Sequence, residues 1–210
     1  MLDQAQSYIK RYLKKHPVTS LMIIINTLFF LVTLFTGGFT LINLIRLGAI
    51  YPPLILEQGE FYRIITGTFL HGNVFHYLMN MYVLFYLGAH LEQLVGPRKH
   101  LLVYLLSAIA SGVAVTYLGQ ENAVTVGASG AIFGIMGGLF MLTILRKRWF
   151  HQRTIRSIQQ LMAINLILTF VVARISILGH LGGLVMGVLL FFIITPERPY
   201  IFENPDYYQS

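Results

Sequence analysis

Long apolar stretches alternate with short polar segments along most of the chain. A helix needs about 20 residues to cross the hydrocarbon of a bilayer, and six stretches come near that length. They are residues 18–36, 74–94, 101–118, 129–145, 160–172 and 177–194. The fifth stretch is short by this measure, and residues 155–158 can extend it. The pattern predicts an all-α polytopic membrane protein built as a six-transmembrane-helix bundle.

Residues 37–71, between the first two spans, do not follow this pattern. Residues 41–51 are apolar apart from Asn43 and Arg46, and the pair Pro52-Pro53 then interrupts any helix. Charged residues follow the prolines. We therefore expect a long loop with a partly immersed, interfacial helix rather than a seventh span.

The positions of the basic residues test this choice, because cytoplasmic loops carry an excess of Lys and Arg. Six spans with an inner N-terminus place 12 of the 15 basic residues inside and three outside. A further span over residues 41–56 would place only six inside and eight outside. The charge pattern favours six spans with both termini in the cytoplasm.

The two ends of the chain differ from the central part. Residues 2–15 form an amphipathic, basic pattern typical of a helix on an anionic membrane surface, although a frayed solvated tail fits as well. Residues 196–210 are polar and contain prolines. We therefore divide the chain into a cytoplasmic N-terminal segment (1–16), a membrane domain (17–195) and a C-terminal tail (196–210).

Composition narrows the possible functions. The chain is 56% hydrophobic and 11% charged, whereas soluble domains carry about 25% charged residues. It has no cysteine, which excludes a disulfide framework, a thiolate metal site and a cysteine nucleophile. The net charge is +7, but the basic residues are distributed as membrane topology requires. We therefore expect lipid rather than nucleic acid as the partner of the chain. The sequence predicts neither a cofactor nor a metal, since it contains no HExxH motif.

Glycines recur every four residues on two of the predicted spans. Gly130, Gly134 and Gly138 lie on the fourth span, and Gly179, Gly183 and Gly187 lie on the sixth. Stripes of small residues allow membrane helices to pack backbone to backbone. We expect the fourth span to pack against the sixth.

Four polar side chains fall at the same predicted depth. Ser129 opens the fourth span, His180 lies in the first turn of the sixth, His76 lies in the first turn of the second, and Asn80 follows one turn later. Even-numbered spans all start on the outer side, so these side chains share the outer part of the bilayer. Polar groups at such depth are costly and mark functional sites.

These residue types suit acyl transfer. A serine hydroxyl needs a base to become a nucleophile, and His180 can serve Ser129 in that way. His76 and Asn80 lie on one helix face and can donate to a developing oxyanion, together with the backbone N–H of Ser129. The one carboxylate within a span, Glu92, lies near the inner end. The sequence therefore predicts a Ser–His dyad rather than a triad.

Three segments together resemble the rhomboid intramembrane serine proteases over residues 60–187. Gly127-Ala128-Ser129-Gly130 is similar to the family's GxSG motif, and Gly179-His180-Leu181-Gly182-Gly183 is similar to its sixth-helix motif. Residues 71–80, from His71 to Asn80, resemble its second-helix motif. Tyr62, before Arg63, stands where the family has tryptophan.

The resemblance implies an enzyme that cleaves other proteins in or near their transmembrane helices, with Ser129 as nucleophile, His180 as base, and His76 and Asn80 binding the oxyanion. It also implies that Glu92 ties the inner end of the bundle together. The six-span layout favours a bacterial cytoplasmic membrane with the site open to the outer side. The sequence does not decide the oligomeric state.

Three other functions fit parts of the same pattern. A non-catalytic protein that binds or retains transmembrane helices could use the same scaffold. A small transporter would predict inverted repeats and acidic residues along a pathway; the sequence shows no such repeats, and Glu92 is the one acidic residue available within a span. A metalloprotease is disfavoured because His76 and His180 provide too few ligands.

Overall fold

The computed structural model of the protein describes residues 2–172 and 175–203, without the side chains of residues 2, 3 and 5. Arg174, which the sequence places among the outer basic residues, lies outside the described part. The α-helices are α1 Leu2–Lys15, α2 Pro17–Thr36, α3 Leu41–Arg46, α4 Pro52–Leu56, α5 Arg63–Thr66, α6 Val74–Val83, α7 Ala89–Val95, α8 Pro97–Leu118, α9 Ser129–Leu145, α10 Gln152–Val171, α11 Ile177–Ile194 and α12 Tyr200–Glu203. Two short 3₁₀ turns cover Gly67–Phe69 and Lys147–Trp149.

Four of these helices, α2, α8, α10 and α11, are long and apolar enough to cross a membrane. Helix α9 is equally apolar but has 17 residues. A π-helical segment, Leu84–Gly88, joins α6 to α7, so helical backbone runs without interruption over residues 74–95. The chain is therefore an all-helical membrane protein, as the apolar pattern predicts.

The predicted bounds of the fourth and sixth stretches match α9 and α11. The fifth stretch includes residues 155–158, as the sequence allows, and α10 starts three residues earlier still, at Gln152. Its first turns are polar, but Ile155 and Ile158 are buried there, and Ile158 joins the main core. These two apolar contacts explain why the helix starts before the continuous apolar run.

The segment from 37 to 71 is a chain of short helices, as expected of a structured loop. The prediction that Pro52-Pro53 breaks helical structure is only half right, because α4 starts at Pro52. The fixed φ of proline suits the first turn of a helix.

Arg63 holds this loop together from the inside. It is 4% exposed and donates to the carbonyls of Ile45 and Ala49 at 2.6 and 3.3 Å. Its hydrogen bond to Glu60 lowers the pKa of the Glu60 carboxyl.

Helices α9 and α11 pack backbone to backbone, which confirms the prediction from the two glycine stripes. A Cβ atom added at Gly183 would lie 1.9 Å from the carbonyl oxygen of Gly130, and one at Gly187 would lie 2.1 Å from that of Gly134. Helix α8 closes the same unit, since the Ser107 side chain fills the space beside Gly134. The three helices form the closely packed centre of the bundle, and residues from them dominate the main core.

The opposite end of the bundle from Ser129 is fastened by Glu92, which is fully buried. Its carboxylate accepts hydrogen bonds from the backbone N–H groups of Val18 and Thr19, both at 2.9 Å, and from the Thr19 hydroxyl at 2.7 Å. These N–H groups belong to the first turn of α2 and have no acceptor within the helix. The structure thus agrees with the fastening role that the sequence resemblance implies for Glu92.

Both terminal segments contact the bundle. Tyr12 of α1 stacks on Phe85 at 4.2 Å and donates its hydroxyl to the Phe85 carbonyl at 2.6 Å. That carbonyl belongs to the π-helical segment. Within the predicted tail, α12 places Tyr200 against Gly96, and residues 204–210 lie outside the described part.

Candidate active site

Three helices begin around the glycine-rich turn that precedes Ser129. Ser129 is the first residue of α9, His76 is the third residue of α6, and His180 is the fourth residue of α11. The N-terminal N–H groups of a helix have no intrahelical acceptor, so each helix points donors toward this end of the bundle. The structure thus places three of the predicted site residues at the same end of the bundle. This agrees with the prediction that the even-numbered spans all start on one side.

The backbone before Ser129 is held by the long first loop. Thr125 exchanges two backbone hydrogen bonds with Ile50, at 3.0 and 2.9 Å, and the Gly127 N–H donates to the Gly67 carbonyl at 3.0 Å. Gly127 has φ +130°, which disfavours any side chain. These contacts fix the turn from which α9 and its serine start.

The ring of His76 lies beside this turn. The Cβ position of Gly127 is 2.8 Å from His76 Nε2 and 3.6 Å from Ser129 Oγ, so the ring and the hydroxyl border one small space. The Gly72 N–H points at His76 Nδ1, 3.4 Å away. Since Nδ1 accepts, Nε2 carries the ring proton and can donate into that space.

Asn80 lies one turn further along α6 and is 6% exposed. Its amide nitrogen donates to the His76 carbonyl at 3.0 Å. A side-chain amide has two hydrogens, so one remains for a further acceptor. The structure therefore places Asn80 beside His76, with part of its donor capacity already used.

His180 is held between two side chains that the sequence analysis did not single out. Its ring stacks on Phe133 with 4.0 Å between centroids and 19° between planes. Phe133 lies one turn after Ser129, so both project from one face of α9. His180 Nδ1 lies 2.8 Å from the Thr169 hydroxyl of α10. Since Nδ1 is engaged by Thr169, Nε2 is the ring nitrogen left for a further partner.

The close approach of α9 to α11 brings the backbones of the two site residues together. The Cβ position of Gly130, the neighbour of Ser129, is 3.2 Å from the carbonyl oxygen of Gly179, the neighbour of His180. Even so, no hydrogen bond of the described residues joins the Ser129 hydroxyl to the His180 ring. Catalytic hydrogen bonds are often long before substrate binds, so this geometry leaves the dyad possible but unformed.

His71 is the remaining polar ring near the site. It is fully buried, and its centroid is 5.2 Å from that of His76. Burial, with a smaller effect of His76, lowers the pKa of His71 to about 3. The ring is therefore neutral at physiological pH and adds no positive charge beside His76.

The fold and this constellation define a multi-pass helical membrane protein with a serine and two histidines at one end of a glycine-packed bundle. Residues 58–197, about two thirds of the chain, match the family model of the Rhomboid domain. The chain therefore belongs to the rhomboid family.

Several curated proteins are similar to it. YdcA of Bacillus subtilis (strain 168) is 32% identical over 143 residues, which are 68% of this chain and 72% of YdcA. Rhomboid protease GluP of the same organism is 33% identical over 174 residues, 82% of this chain but 34% of GluP. Rhomboid-like protease 3 of Toxoplasma gondii is 34% identical over 158 residues, 74% of this chain and 59% of that protein. The chain thus spans less than two thirds of two of these three relatives.

Two site neighbours, Phe133 and Thr169, escaped the sequence analysis. The i, i+4 spacing of Ser129 and Phe133 could have indicated that the aromatic ring shares the face of the serine. No comparable signal exists for Thr169. Its relation to His180 depends on how α10 leans against α11, and that is a property of the packed structure.

Proposed function

We propose that this protein is an intramembrane serine endopeptidase that cleaves transmembrane segments of other proteins with Ser129 and His180. The observation that carries the proposal is the position of the His180 ring. It stacks on Phe133, one turn after Ser129, and its bond to Thr169 leaves Nε2 as the nitrogen available to the serine. Membership of the rhomboid family and the names of its relatives support the same chemistry.

The first half of the proposed reaction forms an acyl-enzyme. Ser129 Oγ attacks the scissile carbonyl carbon while its proton passes to His180 Nε2. The negative charge moves to the carbonyl oxygen, where the His76 Nε2–H, the Asn80 amide and the Ser129 N–H donate hydrogen bonds. The C–N bond then breaks, and His180 returns the proton to the leaving amine.

The second half restores the enzyme. A water molecule gives a proton to His180 and attacks the ester carbonyl. The oxyanion forms again at the same donors, the bond to Ser129 Oγ breaks, and His180 protonates the serine. No cofactor or metal takes part in either half.

The proposed setting is a six-span bundle with both termini in the cytoplasm. The residues from 74 to 95 and α9 join the four longer helices as membrane spans, and the loop from 37 to 71 lies partly immersed. A helix of 17 residues spans about 25 Å, less than the roughly 30 Å of hydrocarbon. With the Arg146 end anchored at the inner surface, Ser129 lies below the outer surface and the site receives water from the outer side. A bacterial cytoplasmic membrane suits this layout.

A decisive test combines cleavage with labelling. The protein is reconstituted in liposomes with a fluorogenic transmembrane peptide, and separately exposed to a fluorophosphonate that reacts with activated serines. We expect cleavage and labelling by the wild type, and neither by Ser129→Ala or His180→Ala. Ser157→Ala is the matched control, because Ser157 is exposed on α10 and its hydroxyl donates to the Arg153 carbonyl of the same helix. Cleavage by Ser129→Ala at the wild-type rate would refute the assignment.

One observation favours a second candidate, a non-catalytic protein that binds transmembrane helices. The Ser129 hydroxyl and the His180 ring do not share a hydrogen bond in the described structure. A purely binding protein would retain the peptide in the liposome without cleaving it, and the fluorophosphonate would not react. The same experiment therefore separates the two functions.

A further inference from the structure

The hydroxyl of Thr169 lies between two polar partners inside the bundle. Its oxygen is 2.8 Å from His180 Nδ1 and 2.8 Å from the backbone carbonyl oxygen of Asn165, one turn earlier on α10. Thr169 is 2% exposed and His180 is 9% exposed, so water does not compete for these bonds.

Counting protons assigns the direction of both bonds. A threonine hydroxyl has one hydrogen and can accept in addition. The Asn165 carbonyl can only accept, so the contact at 2.8 Å requires the hydroxyl hydrogen. The lone pairs of the same oxygen then face His180, and Nδ1 must be the donor. A neutral His180 therefore carries its proton on Nδ1 and has its lone pair on Nε2.

We propose that Thr169 is a positioning residue that sets the tautomer of His180 and keeps Nε2 ready to accept the serine proton. The inference rests on the proposed function and adds to it a group from a third helix. In a Ser-His-Asp triad an aspartate performs this task by accepting from Nδ1–H. Here a neutral hydroxyl performs it without placing a carboxylate in the outer part of the bilayer, where a charge would be costly.

The environment of His180 limits its other orientations. Stacking on Phe133 holds the plane of the ring, so the orientation left open is the flip about χ2 that exchanges its two edges. The bond to Thr169 fixes that flip with Nδ1 toward α10. Phe133 thus fixes the plane of the His180 ring. Thr169 fixes the orientation of the ring within that stack and the nitrogen that carries its proton.

A comparison within the same bundle shows what is particular to Thr169. Thr116 of α8 is also buried, at 4% exposure, and donates to the carbonyl four residues earlier at 2.8 Å. Among the residues that the structure describes, its hydroxyl has no histidine partner. Thr116 therefore has the helical back-bond of Thr169 without the second contact, and it serves as the matched control.

The kinetic test uses the full chain in liposomes with the fluorogenic transmembrane peptide. Thr169→Val preserves the shape of the side chain but removes the hydroxyl, and Thr169→Ser restores it. We expect the valine variant to lose about 10- to 100-fold in kcat with KM within about twofold of wild type, by analogy with metal-ligating histidines, for which loss of the second hydrogen-bond partner has an effect of this size. The serine variant should recover most of the activity, and Thr116→Val should match the wild type.

The second readout is the ¹⁵N spectrum of the His180 ring, assigned by comparison with His180→Ala. The wild type should show a protonated Nδ1 and a bare Nε2, and Thr169→Val should show a mixture of tautomers. Full activity of the valine variant, or a wild-type His180 with its proton on Nε2, would overturn the proposal. Should the valine variant fail to fold, the wild-type spectrum and the serine variant decide alone. The spectrum needs no turnover, so its failure is distinct from an absence of cleavage, which would refute the proposed function.

Discussion

The buried carboxylate of Glu92 caps the first turn of α2 through Thr19, which gives it both a backbone and a hydroxyl hydrogen bond. The two residues are 73 positions apart and belong to different helices. The bonds therefore connect the start of α2 to the middle of α7, at the opposite end of the bundle from Ser129. They satisfy first-turn N–H groups of α2 that have no acceptor within the helix, so they should contribute substantially to the stability of the protein.

Glu92→Gln should destabilise the protein by about 2–4 kcal/mol, because it removes a buried charged acceptor and presents an amide donor to the N–H groups of α2. For a chain of this size that lowers Tm by roughly 5–15 °C. Thermal unfolding in detergent measures the change. Glu121→Gln, at an exposed loop position, is the control and should leave Tm unchanged. An unaltered Tm for Glu92→Gln would contradict the capping role.

Gly183→Ala should disrupt the contact between α9 and α11, since the new methyl group would lie 1.9 Å from the Gly130 carbonyl oxygen. Backbone cannot yield as a flexible side chain does, and we expect a loss of at least about 3 kcal/mol or a failure to fold. Gly72→Ala is the matched control. Its nearest neighbours would be 3.9 and 4.0 Å away, so the substitution should be tolerated. Yield and Tm after purification report both outcomes, and equal effects of the two substitutions would count against backbone packing.

His71 should make stability depend on pH. Its ring is buried and its pKa is lowered to about 3, whereas the unfolded chain takes up a proton near the ordinary value of 6.5. Stability is therefore full above about pH 6.5 and falls as the pH drops toward 3, by up to about 1.4 kcal/mol per pH unit. His71→Phe removes this contribution and should flatten the decline of Tm between pH 7 and 5. His151→Phe, at an exposed position, should leave the decline as in wild type.

Phe133→Ala should lower kcat by about tenfold, because the His180 ring loses the surface on which it stacks. Phe133→Tyr keeps an aromatic ring and should retain most of the activity. Cleavage of the transmembrane peptide and fluorophosphonate labelling of Ser129 measure the effect. Equal activity of the alanine and tyrosine variants would show that the stacking has no part in positioning the base.

Much of the helical arrangement could be predicted because it rests on local sequence. The bounds of α9 and α11 follow from continuous apolar runs, and their contact follows from glycines at four-residue spacing. For α10 the sequence offers residues 155–158 as an extension but does not decide where the helix starts. Its first turns are polar, and the helix extends there because Ile155 and Ile158 find partners in the folded bundle.

The candidate site also has features that the sequence predicts and features that only the folded structure reveals. Ser129, His180, His76 and Asn80 were predicted as site residues from depth and residue type, and their catalytic roles stay predictions. The hydrogen bond of Thr169 depends on the lean of one helix against another, which no periodicity encodes. The tautomers of His76 and His180 required the same three-dimensional information. Each follows from a neighbour, Gly72 or Thr169, whose contact exists only in the folded chain.

The meeting of three helix beginnings around Ser129 gives the site a built-in electrostatic field. The N-terminus of a helix carries about half a positive elementary charge, and α6, α9 and α11 all start there. This potential comes from peptide dipoles, so it neither titrates with pH nor needs a cationic side chain within the membrane. An anion formed at Ser129 would be stabilised by the permanently positive potential of these helix N-termini. The acid–base behaviour of such a centre is then left to its imidazoles alone.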